Sequence, residues 1–581
     1  MSADLDALRA AWEGVWESAL AAWSRFTKLS HPRWCVSLEE EKKEGLVSSF
    51  AMIRLDDHAV VISLRQIQEQ GLQDFGREIL AHEIGHHVYA PGDLGDNARL
   101  IARIRRALPT REGFAGLVAN LYADLLINDR LQRGAGLDMA GVFKKLKRET
   151  DDRLWALYLC IYEALWRLPR GALVDLGDDA RVRSDADLGA RVLRAYSKDW
   201  LRGAGRFAAL LLPYLLELPE KGGGAQVWLD TEGCGASDAV PDGLAQLEDD
   251  ELDGAIHPAL DPAITGIEEV STAEQPGEGA GREAHGGRKN RYRDPREYVA
   301  LMKSLGVKVD PKELVMRYYR ERALPHRVPF PAKLQRQAAD PLPEGFDVWD
   351  VGSPIADIDW TGTLVNSPLV VPGLTTVERS YGTTEGVEPK RTPLDLYVGI
   401  DCSGSMQNPA VGLSYPVLAG AVVALSALRA RARVMACLSG EPGSHAQTNG
   451  FVRSEREILS VMTSYLGTGY AFGILRLKET FLDGEAPARP THVLVVSDSD
   501  FFHMLKEVSG GWRIAQGAAE RAGGGATAVL QLQLRSHRAE VDRLESLGWK
   551  VHPVGGLEEL VAFARSFSRA RYGADAAGES A

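Results

Sequence analysis

From residue 394 onward, short apolar runs rich in β-branched residues alternate with stretches of helical period. This alternation constrains the fold more than any other feature of the 581-residue chain. Parallel strands need a helix in each crossover, so such an alternation predicts a parallel sheet covered on both faces. We therefore predict a doubly wound α/β domain over residues 391–575 and a flexible tail at 576–581. The apolar runs are 394–400, 432–438, 491–496, 526–534 and 550–554.

The first 218 residues are mostly of helical period. Two β-prone runs, 48–55 and 59–64, flank Asp56 and Asp57 and predict a β-hairpin. A helical stretch over 75–89 follows and stops at a Pro-Gly pair. Together with longer helical patterns further on, these features predict an α+β domain rich in helices over residues 1–218. The longer patterns are 111–132, 151–168 and 187–218.

Most of the negative charge lies in one segment. Residues 220–286 contain sixteen acidic and two basic residues, a charge of −14 against −13 for the whole chain, which leaves the remainder at +1. Low hydrophobicity with high charge predicts that 219–292 is an acidic, partly disordered linker, with a docking site for a basic surface as the alternative. Residues 293–390 are predicted to be a connecting region of helices and short strands. The rest of the chain is nearly neutral and has no strong basic surface, which argues against nucleic-acid binding.

Targeting signals are weak or absent in the sequence. The five cysteines form no C-x-x-C pair, which favours a reducing compartment. No apolar run reaches the ~18 residues that cross a bilayer. The first residues lack the basic start of a signal peptide. We expect a cytoplasmic protein without a membrane partner. A phosphate-binding G-x-x-x-x-G-K-[ST] loop is also missing, so ATP hydrolysis by that route is not expected.

The motif AHEIGHH, residues 81–87, predicts a metal site. His82 and His86 are four residues apart and share one helix face, so both rings can reach one ion. Glu83 lies where a carboxylate can accept a proton from a water that zinc has activated. We expect His87, about 100° away around the helix, to be structural.

A third ligand must come from elsewhere in the chain. On a later predicted helix, Asn120, Asp124 and Asn128 form one polar stripe at four-residue spacing. We predict Asp124 as the third zinc ligand, with Asn120 and Asn128 holding the ligands in place. Asp129 and Asp93 are the alternatives.

These two places resemble zincin-type metallopeptidase domains of bacterial proteins that also carry a von Willebrand factor A domain. The resemblance rests on AHEIGHH and on ADLLIND, residues 123–129. It implies a compact zincin-like fold over the first ~215 residues and a cytoplasmic, metal-dependent peptidase.

A second metal site is predicted after the first strand of the α/β domain. That strand ends in D-x-S-x-S, with Asp401, Ser403 and Ser405. Ligands in open parallel sheets gather at the carboxyl ends of strands, where Asp498 also follows a strand. Thr468 lies between two predicted helices. Hydroxyls, waters and few carboxylates suit Mg²⁺ (or Mn²⁺).

Residues 393–572 resemble a von Willebrand factor A domain, a Rossmann-like fold, with its metal-ion-dependent adhesion site. The resemblance implies that Asp401, Ser403, Ser405, Thr468 and Asp498 hold the ion and that an acidic residue of a partner completes its shell. The usual T-D-G of the family is replaced here by Ser497-Asp498-Ser499.

Two functions remain open at this stage. The first is a zinc peptidase whose A-domain binds a protein substrate or a partner, since proteins with this pairing resemble partners of MoxR-type AAA+ ATPases. The second is a non-enzymatic adaptor or chaperone-like subunit that couples an AAA+ ATPase to a target, as in the similar chelatase subunits, with the zincin domain structural. The intact Glu83 favours the enzyme.

Overall fold

A computed structural model of the chain divides into two compact units. Unit 1 comprises Met1–Glu321 with Ala410–Leu413, and unit 2 comprises Arg322–Pro409 with Ser414–Ala581. The first unit therefore extends well beyond residue 218, where the sequence suggested a domain end. The structure describes residues 2–46, 49–147, 152–175, 179–219, 231–232, 240–252, 256–266, 292–328, 339–385, 393–441, 443–469, 473–556 and 558–572.

Unit 1 is a mainly helical body with one small sheet. The strands are β1 (Arg33–Cys35), β2 (Ala51–Arg54), β3 (Val60–Ser63) and β4 (Thr231–Glu232), in the order β1-β3-β2-β4. Strands β2 and β3 pair antiparallel, which confirms the predicted hairpin, whereas β1 and β4 are parallel additions at the two edges.

The helices of unit 1 carry most of its core. The single long helix predicted over 187–218 is two helices in the structure, separated at Tyr196–Asp199. Tyr196 is the C-cap of the first helix, and Asp199 is the N-cap of the second. The helices are α1 (Ser2–Ala21), α2 (Leu38–Glu44), α3 (Leu64–Glu69), α4 (Gly76–Val88), α5 (Leu94–Ala107), α6 (Ala115–Gly134), α7 (Met139–Lys145), α8 (Arg153–Trp166), α9 (Ala180–Ala195), α10 (Trp200–Glu217), α11 (Asp249–Leu252), α12 (Pro262–Thr265), α13 (Pro295–Ser304) and α14 (Pro311–Ala323).

Helices α4 and α6 approach each other closely at Gly85. A Cβ atom at this position would lie 2.6 Å from Ile127 Cγ2 of α6 and 2.6 Å from the ring of Trp23. The Trp23 indole also donates a hydrogen bond to the Ala81 carbonyl at 2.7 Å. Because Gly85 has no side chain, the backbone of α4 can lie directly against Ile127 of α6. These are the two helices that carry the predicted ligands.

The acidic segment differs in part from the predicted disordered linker. Its two longer described stretches, 240–252 and 256–266, belong to unit 1, and Leu244 and Leu247 are buried there. Glu251 accepts two hydrogen bonds from Arg293 at 2.5 and 2.6 Å, and both side chains are 2% exposed. Paired arginines offset the desolvation that would otherwise keep these carboxylates in water. Residues 231–232 form β4, and apart from these and the end residues 219 and 292 the rest of the predicted linker lies outside the described residues.

Arginines of α5 hold the same segment. Arg103 binds Glu248 and Asp250, and Arg106 binds Glu251 at 3.0 Å. Burial by itself would lower the pKa of the Arg103 guanidinium, but the hydrogen bonds to Glu248 and Asp250 outweigh this and raise it above its usual value. The ordered part of the acidic segment is therefore bound by charge to the helical body.

Unit 2 contains a six-stranded sheet between two layers of helices. The strand order is β12-β11-β10-β7-β8-β9, and all neighbours are parallel except β9, which is antiparallel to β8. The C-terminal part is thus a mixed, mostly parallel α/β sheet that is compatible with the predicted Rossmann-like class; the short β9 was not predicted. The strands are β7 (Asp395–Asp401), β8 (Val434–Ser439), β9 (His445–Gln447), β10 (Thr491–Asp498), β11 (Gly523–Gln531) and β12 (Trp549–Val554).

A separate two-stranded sheet precedes this domain. Strand β5 (Ala339–Val348) pairs antiparallel with β6 (Val377–Glu385), and the short helix α15 (Trp360–Asn366) lies between them in sequence. The predicted connecting region 293–390 is thus divided, since α13 belongs to unit 1 and this hairpin to unit 2. The predicted tail at 576–581 lies outside the described residues. The remaining helices are α16 (Tyr415–Arg429), α17 (Glu455–Thr463), α18 (Ile474–Leu477), α19 (Asp500–Glu507), α20 (Gly511–Ala522), α21 (Arg538–Ser546) and α22 (Glu559–Tyr572).

Two candidate metal centres

Helices α4 and α6 bring His82, His86 and Asp124 into one buried cluster. The side chains are 9%, 0% and 6% exposed. Asp124 Oδ1 lies 3.3 Å from His86 Nε2 and 3.7 Å from His82 Nε2. Within the described residues this is the one group of three His, Cys, Asp or Glu side chains whose ligand atoms lie within 4.8 Å of one another. The cluster can hold a metal ion.

The hydrogen bonds of the two rings orient their Nε2 lone pairs toward the centre. His86 Nδ1 lies 3.1 Å from the Ala90 carbonyl, which can only accept, so Nδ1 carries the proton. His82 Nδ1 lies 2.7 Å from Asn128 Oδ1, which favours the same tautomer. The two Nε2 atoms are only 3.3 Å apart. Two lone pairs that face each other at this distance fit a shared cation.

Asp124 has the surroundings expected of a ligand. Asn120 Nδ2 donates to Asp124 Oδ2 at 3.0 Å, whereas Oδ1, which faces the histidines, is buried and has no hydrogen bond within the described residues. Burial raises the pKa of the Asp124 carboxyl to about 7, and the nearby His82 opposes this only in part. A cation at Oδ1 would supply the positive charge that keeps the group ionised.

Two tyrosines of α8 extend the support of the cluster. Asn128 Nδ2 donates to the Tyr162 hydroxyl at 2.8 Å, and the Tyr162 and Tyr158 hydroxyls are 2.8 Å apart. The Asn128 amide is therefore fixed at both ends, as a group that orients a ligand should be. The sequence analysis predicted Asn120 and Asn128 but missed both tyrosines. Their four-residue spacing in an apolar helix was the available signal.

Glu83 lies beside the cluster at a cavity of about 50 Å³. Its side chain is buried, with 1% exposure. Besides Glu83, His82, Asp124 and Asn128, the walls are apolar or aromatic, with contributions from α4, α6, α7 and α8. These wall residues include Ile79, Leu121, Val142, Phe143, Trp155 and Tyr158.

The alternatives weighed from sequence have other partners. Asp129 binds Arg133, and Asp93 caps α5 by accepting from the Asp96 amide at 2.9 Å. The His87 ring packs 4.1 Å from that of His58, centroid to centroid, and not in the cluster. Burial, followed by the proximity of His58, lowers the pKa of His87.

The second cluster lies at the carboxyl ends of β7 and β10, which are neighbours in the sheet. Ser403 Oγ lies 2.9 Å from Ser405 Oγ, and Ser405 Oγ donates to Asp498 Oδ2 at 3.1 Å. Asp401 Oδ1 accepts from the Ser403 amide at 2.8 Å. After β7 the chain continues to β8 on one side of β7 and later to β10 on its other side. The carboxyl ends of β7 and β10 therefore form the topological switch point, where α/β sheets bind ligands.

Charge and burial at this cluster suit a cation. Ser497 donates to Asp401 Oδ2 at 2.9 Å. Burial raises the pKa of Asp401 to about 6; its hydrogen bonds oppose this shift, and Asp498 adds to it. The sequence analysis did not predict the Ser497 contact.

Thr468 is the least integrated of the predicted ligands. Its backbone pairs with Ser403, and its carbonyl accepts from the Gly404 amide at 2.9 Å. Its hydroxyl, however, accepts from the Glu441 amide at 3.2 Å. The structure thus brings Asp401, Ser403, Ser405 and Asp498 into one hydrogen-bonded group and leaves the Thr468 hydroxyl directed at the β8 end.

Comparison of the chain with models of known protein families and with curated proteins gave no match. Any assignment of function therefore rests on the geometry of the two clusters. Among the described helices, none combines the length and apolar character needed to span a bilayer.

Proposed function

We propose that the chain is a zinc-dependent peptidase whose C-terminal domain binds a protein partner through a divalent cation. The observation that carries the first part is the buried group of His82, His86 and Asp124, with Glu83 beside it at the same cavity. Two imidazoles and one carboxylate would hold a zinc ion and leave it able to bind a water or a substrate oxygen as well. Such an open set is typical of catalytic zinc and differs from the closed four-residue sets of structural zinc.

The residues divide the proposed chemistry among them. His82, His86 and Asp124 would hold the ion, which supplies Lewis acidity that polarises a peptide carbonyl and makes a bound water more acidic. Glu83 accepts a proton from the attacking water and passes it to the leaving amine. Asn120 and Asn128 keep the carboxylate and the His82 ring in place. The apolar cavity walls exclude water and favour a substrate side chain without charge.

A substitution of Glu83 tests the peptidase directly. Glu83→Gln keeps the shape of the side chain but cannot accept the proton, so we expect unchanged zinc content and at least ~100-fold slower hydrolysis. Cleavage of a proteome-derived peptide library by the zinc-loaded full chain, followed by mass spectrometry, measures the activity. Equal cleavage by both proteins would remove Glu83 from the mechanism. No cleavage by the zinc-loaded wild type would favour the adaptor function.

The second part of the proposal concerns the cluster of Asp401, Ser403, Ser405 and Asp498. The negative charge of two carboxylates just neutralises a divalent cation, and hydroxyls are weak ligands. The ion would therefore remain able to bind an acidic side chain of another protein. We propose Mg²⁺ (or Mn²⁺) at this site and a MoxR-type AAA+ ATPase as the partner. Residue Thr468 would join the shell after a rotation of its hydroxyl.

Removal of one carboxylate tests this part. Asp401→Ala should abolish Mn²⁺ binding and the magnesium-dependent binding of a purified MoxR-type ATPase from the same host, while the zinc content of the N-terminal unit stays unchanged. EDTA should mimic the loss of the partner. Asp500→Asn is the matched control. Asp500 is not one of the proposed ligands, although it lies near Asp498. Equal partner binding by wild type and Asp401→Ala would show that recruitment occurs elsewhere.

A further inference from the structure

Exposed large hydrophobic side chains are concentrated in one short part of unit 2. Of the twenty such residues in the described chain, eleven lie between Phe346 and Tyr381. We call residues 339–385 (β5, α15, β6 and their connections) the hairpin module. Its most exposed apolar side chains are Val365 at 84%, Val351 at 74%, Leu374 at 71%, Leu369 at 70%, Ile355 at 69% and Leu364 at 57%. Single exposed hydrophobics need no explanation, but a concentrated set does.

The core of the module is too small to balance this exposure. Among its described side chains, the buried large hydrophobic ones are Trp349, Ile358 and Val377. An isolated two-stranded hairpin is marginally stable in water, and one short helix adds little. The described part of the module therefore exposes eleven large hydrophobic side chains and buries three, which is unlike an independently folding unit.

Several of the exposed side chains lie on connected surface. Phe346 and Val348 alternate along β5 and share one face of the hairpin. The Phe346 ring also lies against α15, since a Cβ at Gly362 would be 2.8 Å from it. On α15, Trp360 and Leu364 are four residues apart and share one side. The hairpin face thus adjoins α15 at Gly362, next to Val365 three residues further on, and Trp360 and Leu364 extend the exposed apolar set around the outer side of the helix.

The hairpin module carries an excess of acidic side chains. Residues 344–382 contain six acidic side chains and a single basic one, Arg379. Arg379 is already paired with Asp359 at 2.6 Å. Asp347, Asp350 and Asp357 are exposed, and each lies within two residues of an exposed apolar residue in the sequence. The module therefore combines an apolar surface with an unbalanced negative charge.

We propose that the apolar surface of the hairpin module is a docking site for a protein partner whose facing surface is apolar at its centre and carries Lys or Arg at its rim. A second copy of this chain fits less well, because like carboxylates would face each other across a twofold contact.

The proposal goes beyond the two metal clusters and does not depend on them. None of the residues that carry it belongs to the group around Asp124 or to that around Asp401. Docking at this surface also predicts a characteristic dependence of the affinity on salt and on substitutions. Affinity should fall with added salt, because the acidic side chains of the module contribute charge, and with any polar group placed in the apolar centre.

Site-specific photo-crosslinking in the full chain tests the proposal. The substitution Leu364→p-benzoylphenylalanine places the reactive group in the surface, and the same substitution at Leu534, an exposed leucine of unit 2, is the control. After irradiation in the native host, mass spectrometry identifies the linked peptides. The linked protein is then purified, and its Kd for the full chain is measured with wild type, Val365→Glu, Asp350→Lys and Leu534→Glu.

Support requires a different protein linked from position 364 and not from 534, through a surface that carries Lys or Arg. Val365→Glu and Asp350→Lys should each weaken its binding at least ~10-fold, whereas Leu534→Glu should leave it unchanged. Links to a second copy of this chain, links to residues of the same molecule, no linked species, or an affinity that neither module variant changes would each overturn the proposal.

Discussion

At the scale of single residues, the cluster of His82, His86 and Asp124 depends on the groups that orient these side chains as well as on the three side chains themselves. Asn128 connects His82 to Tyr162 by two hydrogen bonds of 2.7 and 2.8 Å. Without the Asn128 carbonyl, the His82 ring can rotate or adopt the other tautomer, in which Nε2 carries the proton and cannot bind an ion.

We therefore predict that Asn128→Ala weakens zinc binding by ~10- to 100-fold, because the loss of an oriented ligand partner has effects of this size. Competition with a chromophoric chelator measures the affinity. Asn97→Ala, at a buried asparagine of α5, is the control and should leave the affinity unchanged. Equal zinc affinities of wild type and Asn128→Ala would contradict the role of Asn128.

At the scale of secondary-structure elements, the spacing of α4 and α6 decides whether the ligands can meet. The two histidines come from α4 and the aspartate from α6, and the two helices are in close contact at Gly85. A larger residue there would have to move Ile127, Trp23 or a whole helix, because protein interiors are close-packed.

Gly85→Ala should lower the free energy of unfolding by about 1–3 kcal/mol, which is typical of overpacking, and should weaken zinc binding as well. Urea unfolding followed by tryptophan fluorescence measures the first effect, and chelator competition measures the second. The control is Gly116→Ala on α6, where a Cβ would meet nothing within 4 Å. An unchanged stability of Gly85→Ala would show that the contact can relax freely.

At the scale of the whole molecule, the acidic segment is bound to unit 1 by buried ion pairs. Arg293 uses its guanidinium for Glu251 and for the carbonyls of Leu244 and Gln246 at 2.6 and 2.9 Å. The loss of this arginine would leave Glu251 buried with Arg106 as its remaining cationic partner.

Arg293→Leu should destabilise unit 1 by at least about 2 kcal/mol, since half-broken buried pairs are unfavourable. It should also expose residues 240–252 to proteases. Thermal denaturation and limited proteolysis with mass spectrometry check both effects. Arg9→Ala breaks the exposed pair with Glu13, where the side chains are 53% and 40% exposed, and should change nothing measurable. Protection of 240–252 in Arg293→Leu would contradict the prediction.

The sequence by itself determined the local features of this protein. Periodicity is a property of neighbouring residues, so it predicted the β2–β3 hairpin, the helix of the HEIGHH motif and the alternation of the C-terminal sheet. The i, i+4 spacing of His82 and His86, and of Asn120, Asp124 and Asn128, placed each set on one helix face. The tertiary structure then brought both faces together.

Only the tertiary structure decided which distant groups meet. The partners Tyr162 and Ser497 are separated by 34 and 96 residues from the side chains that they bind, and no local pattern encodes such pairs. The acidic segment resembled a disordered linker because composition measures its charge alone, whereas Arg103, Arg106 and Arg293 offset part of that charge from elsewhere in the chain. Which charged side chains pair in the interior depends on the tertiary fold. For that reason the sequence could not predict that part of the acidic segment is ordered.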